Sequence, residues 1–292
     1  MVDEIQDVSW KTGQGGKLNR EVLRALLSID PYLNENPCFS NVFSWLYYGG
    51  KTAFLQDANS MIMRPPEFIE VLTHLRKTLP GLNRVTSYTR SKTLAQRKLE
   101  VLTAIRQAGL DRIHVGLETG DDEILKLVRK GVTSAEQIEG GKKAMAAGFQ
   151  LSEYWMPDLG GRERWRQHAE NTARVLNEIN PHYIRSRPFV PRQGSEIFDD
   201  YASGRLHISS PHERLQELQV MIENLKVTSH VCFDHNMNSW TNRQGGLLFS
   251  LDYEGYKFPE EKPRVLELIR EGLTVDESRH IDIKELIALG SL

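Results

Sequence analysis

Short apolar runs alternate with amphipathic segments from residue 52 onward. The apolar runs have the length of strands and occupy residues 52–57, 84–90, 112–118, 149–156 and 182–190. Between them, apolar residues recur at helical spacing in residues 65–79, 99–109, 121–131, 133–148 and 163–179. Most of these segments end at glycine or at Asn-Pro, which stop helices. Strands and helices in regular alternation predict a parallel sheet with right-handed crossovers.

Both ends of the chain depart from this alternation. The first 17 residues, which include GQGGK, are expected to be frayed or linking, and helices are predicted over residues 18–30 and 38–48. Asn19 is a candidate cap for the first of these helices, and Ser134 with Gln137 fits a capping box further on. Beyond about residue 205 we expect a helix over 210–225 and a strand within 227–235. The predicted domains are therefore 1–50, 51–205 and 206–292.

The composition narrows the class of protein. The chain has 292 residues, of which 39% are hydrophobic and 26% charged, and a net charge of −2 gives no overall attraction to nucleic acid or to an anionic membrane. No apolar run approaches the roughly 18–20 residues that span a bilayer, and the acidic N-terminus is not a signal peptide. We therefore expect a cytoplasmic protein. The first predicted strand is not followed by G-x-G-x-x-G, so a partial barrel is favoured over a dinucleotide-binding fold.

Polar side chains follow all five predicted strands. In parallel α/β folds the carboxyl ends of the strands meet at one edge, where ligands bind. A single polar loop is explained by helix capping, as for Asp121 and Asp122, but five converging loops indicate a site for a polar small molecule. The residues are Gln56, Asp57 and Asn59, Ser87, Tyr88 and Arg90, Glu118 and Thr119, Glu153, Tyr154 and Met156, and Arg185, Arg187 and Arg192.

Three of these residues are arginines near the fifth strand. Arg185 and Arg187 occupy alternate positions and so share one face of the strand, with Arg192 shortly after it. The cluster would either bind a carboxylated or phosphorylated substrate or pair with neighbouring glutamates. The sequence leaves these two readings open.

The run GLETGDDEILKLVRKG (116–131) resembles the fourth-strand motif of radical S-adenosylmethionine (SAM) enzymes. The resemblance continues through FLQDANSM, RVTSYTRS, AGLDRIHVGLETG and the stretch from KGVTSAEQ to MPDLGG, and it covers roughly residues 50–204. It is greatest to the branch of oxygen-independent coproporphyrinogen oxidases and of elongator-type or methylthiotransferase-like proteins. It implies an α/β fold, an open parallel (β/α)6-type partial TIM barrel, in which SAM lies along the strand ends. Helical segments would precede and follow this barrel.

The resemblance also assigns the cofactor-binding residues. Gln56 and Asp57 would approach the amino group of SAM, and Ser87 and Arg90 its methionine or ribose portion. Glu118 occupies the position where the family often has Glu or Gln beside SAM. Lys130 occupies the position where relatives carry a basic residue that binds the carboxylate of SAM. The remaining residues, which would flank ribose and adenine, are Glu153, Met156 and Phe189.

The first strand of the family and its C-x-x-x-C-x-x-C loop have no counterpart in the sequence. In the family, three cysteines of that loop hold a 4Fe-4S cluster, whereas this chain has only Cys38 and Cys232. Three explanations are open: an N-terminally truncated chain, which we favour, one half of a split protein, or a descendant that binds SAM without radical chemistry. A barrel without its first strand exposes the edge of the second, which predicts a partner chain or self-association, a covering N-terminal helix, or poor stability.

By resemblance, the function is reductive cleavage of SAM to a 5′-deoxyadenosyl radical that acts on an unknown small-molecule substrate. Because the cluster ligands are absent, we expect this chain alone to be inactive. One alternative is a non-catalytic SAM-binding or assembly subunit. Another is an unrelated (β/α) barrel enzyme that uses the carboxylates of Asp57, Glu118 and Glu153.

Overall fold

The described part of the chain contains one seven-stranded sheet, in which the strands follow one another in chain order. The computed structural model describes residues 1–56, 58–238 and 240–288. Neighbouring strands from the second to the sixth pair in parallel, and the sixth and seventh are antiparallel. The strands are β1 (Thr52–Leu55), β2 (Arg84–Thr89), β3 (Arg112–Glu118), β4 (Gln150–Trp155), β5 (Tyr183–Ser186), β6 (His230–Cys232) and β7 (Tyr256–Lys257).

Helices precede the sheet, connect its parallel strands and follow it. No described helix is long and apolar enough to cross a membrane. The helices are α1 (Val2–Lys11), α2 (Arg20–Ile29), α3 (Pro37–Tyr47), α4 (Pro65–Thr78), α5 (Ser91–Gln96), α6 (Leu99–Gln107), α7 (Asp122–Leu127), α8 (Ser134–Ala146), α9 (Gly161–Ile179), α10 (Glu196–Ala202), α11 (Pro211–Asn224), α12 (Lys262–Thr274) and α13 (Ile283–Ala288).

These elements confirm the predicted α/β class and most of the predicted segments. Each of the five apolar runs contains a strand, and β6 lies inside the run 227–235. The expectation of a frayed start is wrong, because residues 2–11 form α1, whose Ile5 is buried. The predicted capping box is displaced by one residue: the side chain of Thr133 accepts from the amide of Glu136, and the carboxylate of Glu136 accepts from the amide of Thr133. The short α5 was not predicted.

The chain divides into two compact units. One comprises residues 1–54 and 75–85, and its apolar core contains Ile5, Val22, Leu26 and Phe39. Within it, the Asn19 side chain accepts hydrogen bonds from two amides of α2, as predicted for a cap. The other unit comprises residues 55–74 and 86–292. The predicted domain limits at 50 and 205 stay predictions.

The two faces of β3 differ in chemistry. Ile113, Val115 and Leu117 are fully buried. Side chains alternate along a strand, so the opposite face of β3 carries Arg112, His114 and position 116. On that face, position 116 lies near the carboxyl end of β3.

Candidate functional site

A cavity of about 790 Å³ lies at the carboxyl ends of β2 to β5. The described residues that line it all belong to the unit formed by residues 55–74 and 86–292. Its described lining mixes aromatic, apolar and charged side chains. The residues that line it are Ala58, Asn59, Ile62, Tyr88, Thr89, Arg90, Gly116, Glu118, Lys130, Tyr154, Met156, Arg187, Pro188, Val190, Arg192 and Met237.

Strand alternation decides which side chains reach this cavity. Tyr88 and Arg90 at the end of β2 both line it, as do Tyr154 and Met156 at the end of β4. Ser87 and Glu153 have the opposite parity, are buried, and do not line it. Most of the strand-end residues that line the cavity therefore belong to one face of the sheet, and Thr89, of the opposite parity, lines it from the last position of β2.

Glu118 and Lys130 form an ion pair at the wall of the cavity. The ammonium Nζ of Lys130 donates to the carboxylate Oε1 of Glu118 at 2.8 Å, and about a quarter or less of each side chain is exposed. A side chain at position 116 would collide with this pair, because a Cβ there would lie 2.2 Å from Glu118 Oε1 and 3.1 Å from Lys130 Nζ. Gly116 therefore makes room for the ion pair beside the strand.

The backbone around Glu118 is irregular. The register between β3 and β4 shifts between Gly116 and Glu118, and Glu118 has a φ of +64°, which is uncommon for a residue with a side chain. The carbonyl of Glu118 accepts from the amide of Met156 at 2.9 Å. A bulge of this kind re-aims a side chain at the end of a strand. Here it brings the carboxylate to the cavity.

Gln137 holds this bulge in place. Its side chain is buried, and its Nε2 donates to the carbonyl of Leu117 at 2.8 Å. The sequence predicted Gln137 as the partner in a capping box. The structure assigns that function to Glu136 and leaves Gln137 to bind the strand.

Asp121, which follows the bulge, caps the helix that begins after it. The Asp121 carboxylate accepts from the amides of Glu123 and Ile124, and it also accepts from Arg164 and Asn171 of α9. Burial alone would raise the pKa of Asp121, but these hydrogen bonds outweigh it and hold the pKa below its usual value. Glu118 is thus the acidic residue of this motif that faces the cavity, while Asp121 is a cap.

An aromatic row lies along the sheet below the cavity. The ring of His114 stands between those of Tyr88 and Tyr154, with centroids 5.8 and 5.4 Å away. Burial is the main reason that the pKa of the Tyr154 hydroxyl is raised, so Tyr154 remains a neutral group. Tyr88 and Tyr154 offer the cavity flat apolar surface with polar tips.

The three arginines near β5 do not act together. Arg185 is buried, and its Nη1 donates to Asp234 at 2.6 Å. Its guanidinium also lies 3.9 Å from the ring centroid of Tyr253. Arg187 and Arg192 instead line the cavity. Ion pairing with an acidic residue therefore accounts for Arg185, whereas Arg187 and Arg192 lie at the cavity.

The structure brings four of the predicted site residues together at the cavity: Arg90, Glu118, Lys130 and Met156. Asp57 lies outside the described residues. The other four are placed elsewhere. Gln56 is exposed, the Ser87 hydroxyl donates to the carbonyl of Leu55, Glu153 is buried, and Phe189 packs in an apolar cluster with Ile124, Leu159 and Leu206.

Glu153 is buried close enough to the ion pair to feel its charges. Its Oε2 has no hydrogen-bond partner among the described residues. Burial raises the pKa of Glu153 well above its usual value, the Glu118 carboxylate raises it further, and Lys130 lowers it. The surroundings of Glu153, behind the cavity wall, therefore favour its neutral form.

Met237 is a cavity-lining residue that the sequence pattern did not identify. It lines the cavity from the loop after β6, where no strand-end pattern or motif marks it. Tyr88 and Tyr154, by contrast, are visible in the sequence as polar residues at strand ends. Alternation with Arg90 and Met156 would have assigned them to the site.

Residues 47–165 match the family model of the Radical SAM superfamily. The protein carries a radical SAM superfamily domain. This match confirms the resemblance seen in the sequence, and it includes β1 to β4 with the Glu118 motif. No curated protein matches the chain in sequence.

Solved structures share the fold of the radical SAM domain at low sequence identity. The archaeal Elp3 of Methanocaldococcus infernus, solved in an N-terminally deleted form, matches 84% of this chain at 13% identity with a TM-score of 0.54. The chain spans 60% of that structure's length. Coproporphyrinogen III oxidase (HemN) of Escherichia coli matches 59% of this chain and 39% of its own length at 15% identity, with a TM-score of 0.46.

The match of residues 47–165 implies SAM and a 4Fe-4S cluster as the cofactors of that family. The cavity fits SAM, because it is large enough for a nucleoside with an amino-acid tail and offers an acid, bases and aromatic rings. Gly116 also leaves space beside the ion pair that a Cβ would occupy.

The cluster does not fit the residues of this chain. Cys38 is exposed on α3, and Cys232 is buried in β6, where burial raises the pKa of its thiol to about 12. A thiol ligand must lose its proton, which this environment opposes. No group of three or more His, Cys, Asp or Glu side chains is arranged to hold a metal within residues 1–56, 58–238 and 240–288.

Proposed function

We propose that this chain binds SAM in the strand-end cavity as part of a radical SAM protein. The observation that carries the proposal is the pair of Glu118 and Lys130, held at the cavity wall by the bulge and by the absence of a side chain at Gly116. The amino-acid end of SAM carries an ammonium and a carboxylate. A carboxylate and an ammonium 2.8 Å apart complement both groups.

The remaining lining suits the nucleoside end. Tyr88 and Tyr154 provide aromatic surface for adenine, and Met156 and Val190 provide apolar contact. Arg90 and Asn59 supply polar groups at the same edge. The proposal assigns Arg90, Glu118, Lys130 and Met156 to the cofactor, as the sequence did.

Reductive cleavage of SAM to a 5′-deoxyadenosyl radical is the activity that the family suggests. It requires cluster ligands that these 292 residues do not supply. We therefore propose SAM binding as the function of this chain's own residues, with cleavage dependent on ligands from outside it. The two cysteines and their surroundings favour, as a second candidate, a SAM-binding or assembly subunit without radical chemistry.

The hypothesis of an unrelated enzyme built on carboxylates gains no support. Glu118 is paired with Lys130, and Glu153 does not line the cavity. The match to the Radical SAM superfamily also accounts for the same strand ends.

Calorimetric titration with SAM tests the proposal. We expect saturable binding by the full chain, weakened by roughly tenfold or more in Glu118→Ala and in Lys130→Ala, since each variant removes a charge-assisted contact of about 1.5–3 kcal/mol. Lys142→Ala is the matched control, because Lys142 forms an exposed ion pair with Glu178 at 2.6 Å on α8 and α9. Equal affinities in all three variants, or no SAM binding by the wild type, would contradict the proposal.

Anaerobic reconstitution with iron and sulfide distinguishes the two candidates. Reconstitution of this chain alone should leave its iron content near zero. Retained SAM binding under those conditions would support the subunit without radical chemistry, or a cluster supplied by another chain. About four irons per chain would overturn the conclusion drawn from the cysteines.

A further inference from the structure

A second, smaller cavity adjoins the strand-end cavity. Its volume is about 360 Å³, and we call it the annex. It is formed by the start of α5, the segment from Arg129 to Val132, and the loop after β1. Asn59, Ile62, Arg90 and Lys130 line both cavities, so the two spaces lie side by side.

The annex is strongly basic. Arg90, Lys92, Arg129 and Lys130 line it, and none of the described residues that line it is acidic. The guanidinium of Arg90 has no ion-pair partner among the described residues, and the Nζ of Lys92 donates only to the carbonyl of Gly131. Of these four, Arg129 pairs with Glu196 at 2.8 Å and Lys130 with Glu118, so Arg90 and Lys92 are the cations of the annex that lack an acidic partner among the described residues.

SAM does not account for this charge. At neutral pH its ammonium, carboxylate and sulfonium sum to a net charge of about +1. Such a ligand adds positive charge to a cavity that already has an excess of it, and like charges in a confined site oppose binding. A second, anionic ligand would balance the charges of Arg90 and Lys92.

Ser91 supplies a hydrogen-bonding group that has no partner. Its side chain is only 4% exposed and lines the annex, and its Oγ has no hydrogen-bond partner in the described structure. A buried hydroxyl without a partner costs free energy, so an incoming acceptor would satisfy it. A hydroxyl beside several cations suits the oxygen atoms of a phosphate or carboxylate.

The walls of the annex are held in place by the protein. Asn59 accepts from the hydroxyl of Thr89 and the amide of Arg90, and its amide donates to Thr93. Arg129 has a φ of +50°, a strained conformation for a side-chain-bearing residue. The contact of Lys92 with Gly131 fixes the segment after Arg129 to α5.

We propose that the annex binds an oxyanion group, phosphate or carboxylate, of a second ligand that lies beside SAM. This inference rests on the proposed function in one respect, because it takes that ligand to be the substrate of the SAM site. The substrate class is then an anionic small molecule. Ser91 and Lys92 contact its oxyanion, and its remaining part extends toward Glu118 and Lys130.

The test is calorimetric titration of the full chain with inorganic phosphate and, separately, with succinate, each at constant ionic strength with and without saturating SAM. We expect one of the two to bind saturably while SAM is bound, which also distinguishes the two oxyanions. Ser91→Ala and Lys92→Gln should each weaken that binding by about fivefold or more and leave SAM affinity unchanged. Ser91→Ala removes no hydrogen bond from the protein, so its fold should be retained. Lys142→Gln is the control for charge.

Each outcome has a defined meaning. Competition between the oxyanion and SAM would overturn the inference, because the annex would then hold the carboxylate of SAM itself. Oxyanion binding that is insensitive to Ser91→Ala and Lys92→Gln, or no binding of either probe, would also overturn it. Oxyanion binding that depends on Ser91 in a chain that does not bind SAM would support the annex and refute the proposed function.

Discussion

The carboxylate of Glu118 owes its position to neighbouring residues. Gly116 leaves space for it, Lys130 neutralises it, and Gln137 binds the backbone carbonyl that precedes it. A regular strand would have continued the alternation of β3. The bulge costs some ladder pairing and places an acid at the cavity.

A methyl group at position 116 should disturb the site more than the fold. Gly116→Ala places a Cβ 2.2 Å from Glu118 Oε1, so the flexible carboxylate must move away from Lys130. We expect SAM affinity to fall roughly tenfold, with a change of about 1 kcal/mol or less in the free energy of unfolding. Titration with SAM and urea unfolding measure these two effects. Wild-type affinity in this variant would show that the ion pair does not bind the cofactor.

The chemistry of single residues was only partly visible in the sequence. Strand-end position identified Arg90, Glu118 and Met156, the family resemblance identified Lys130, and the structure brings these four together at the cavity. Ser87 and Glu153 sit one residue from cavity-lining neighbours, and side-chain parity turns them away. Parity depends on register and bulges, which the pattern of apolar residues fixes only to within about one residue.

Helix α7 begins at a cap that also fastens α9. Asp121 accepts from two amides of α7 and from Arg164 and Asn171. Gly120 makes this approach possible, because a Cβ there would lie 2.4 Å from the carbonyl oxygen of Asn171. One carboxylate thus joins the strand end, the helix after it and a second helix.

Removing the charge of Asp121 should lower stability in a pH-dependent way. The folded pKa of Asp121 is lowered, so its stabilising contribution is present above the unfolded pKa of 3.8 and is lost as the pH falls. Asp121→Asn should therefore cost about 1–2 kcal/mol at pH 7 and progressively less toward pH 2. Urea unfolding across this range measures the difference. Glu123→Gln, in the same helical turn, is the control, and an equal loss in both variants would contradict the role given to Asp121.

The sequence predicted the presence of the strands and helices more accurately than the residues at which they begin and end. Period and length predicted the five central strands and the helices between them, because burial of one face demands those periods. Helix α1 was missed because ten polar-rich residues give a weak signal, and α5 because six residues give almost none. The capping box was placed one residue late, since Thr133 and Ser134 are both chemically suitable.

Two buried carboxyl groups, those of Glu153 and Asp158, make the stability of the folded protein decrease as the pH rises. Burial and, to a lesser degree, the Glu217 carboxylate raise the pKa of Asp158 to about 8, and burial raises that of Glu153 as well. For each acid the folded pKa lies above the unfolded one, so the folded state binds the proton more tightly. Stability is then greatest below the unfolded pKa and decreases as the pH rises through the folded pKa.

We expect the free energy of unfolding to decline between about pH 5 and pH 9, by up to about 1.4 kcal/mol per pH unit for each acid that remains protonated. Glu153→Gln and Asp158→Asn keep the neutral shapes and should flatten this decline. Asparagine also tolerates the positive φ of +71° at position 158. Denaturant unfolding at several pH values measures the slope. An unchanged slope in the double variant would show that other groups control the alkaline limb.

The class of fold was available from the sequence because the rhythm of strands and helices and the Glu118 motif point to the same family. The annex was not, since it depends on side chains from α5, the loop after β1 and the segment near Arg129. These parts meet only in three dimensions. No local pattern connects Ser91 with Arg129.

The order of strands in the sheet also bears on how the chain can acquire its structure during synthesis. Each strand from β2 to β6 pairs with the next one to be made, across connections of 22–43 residues. No central strand waits for a distant partner, so the sheet can lengthen by one strand at a time as the ribosome releases the chain. The Glu118 turn is completed only when β4 emerges, and the antiparallel β7 is added last.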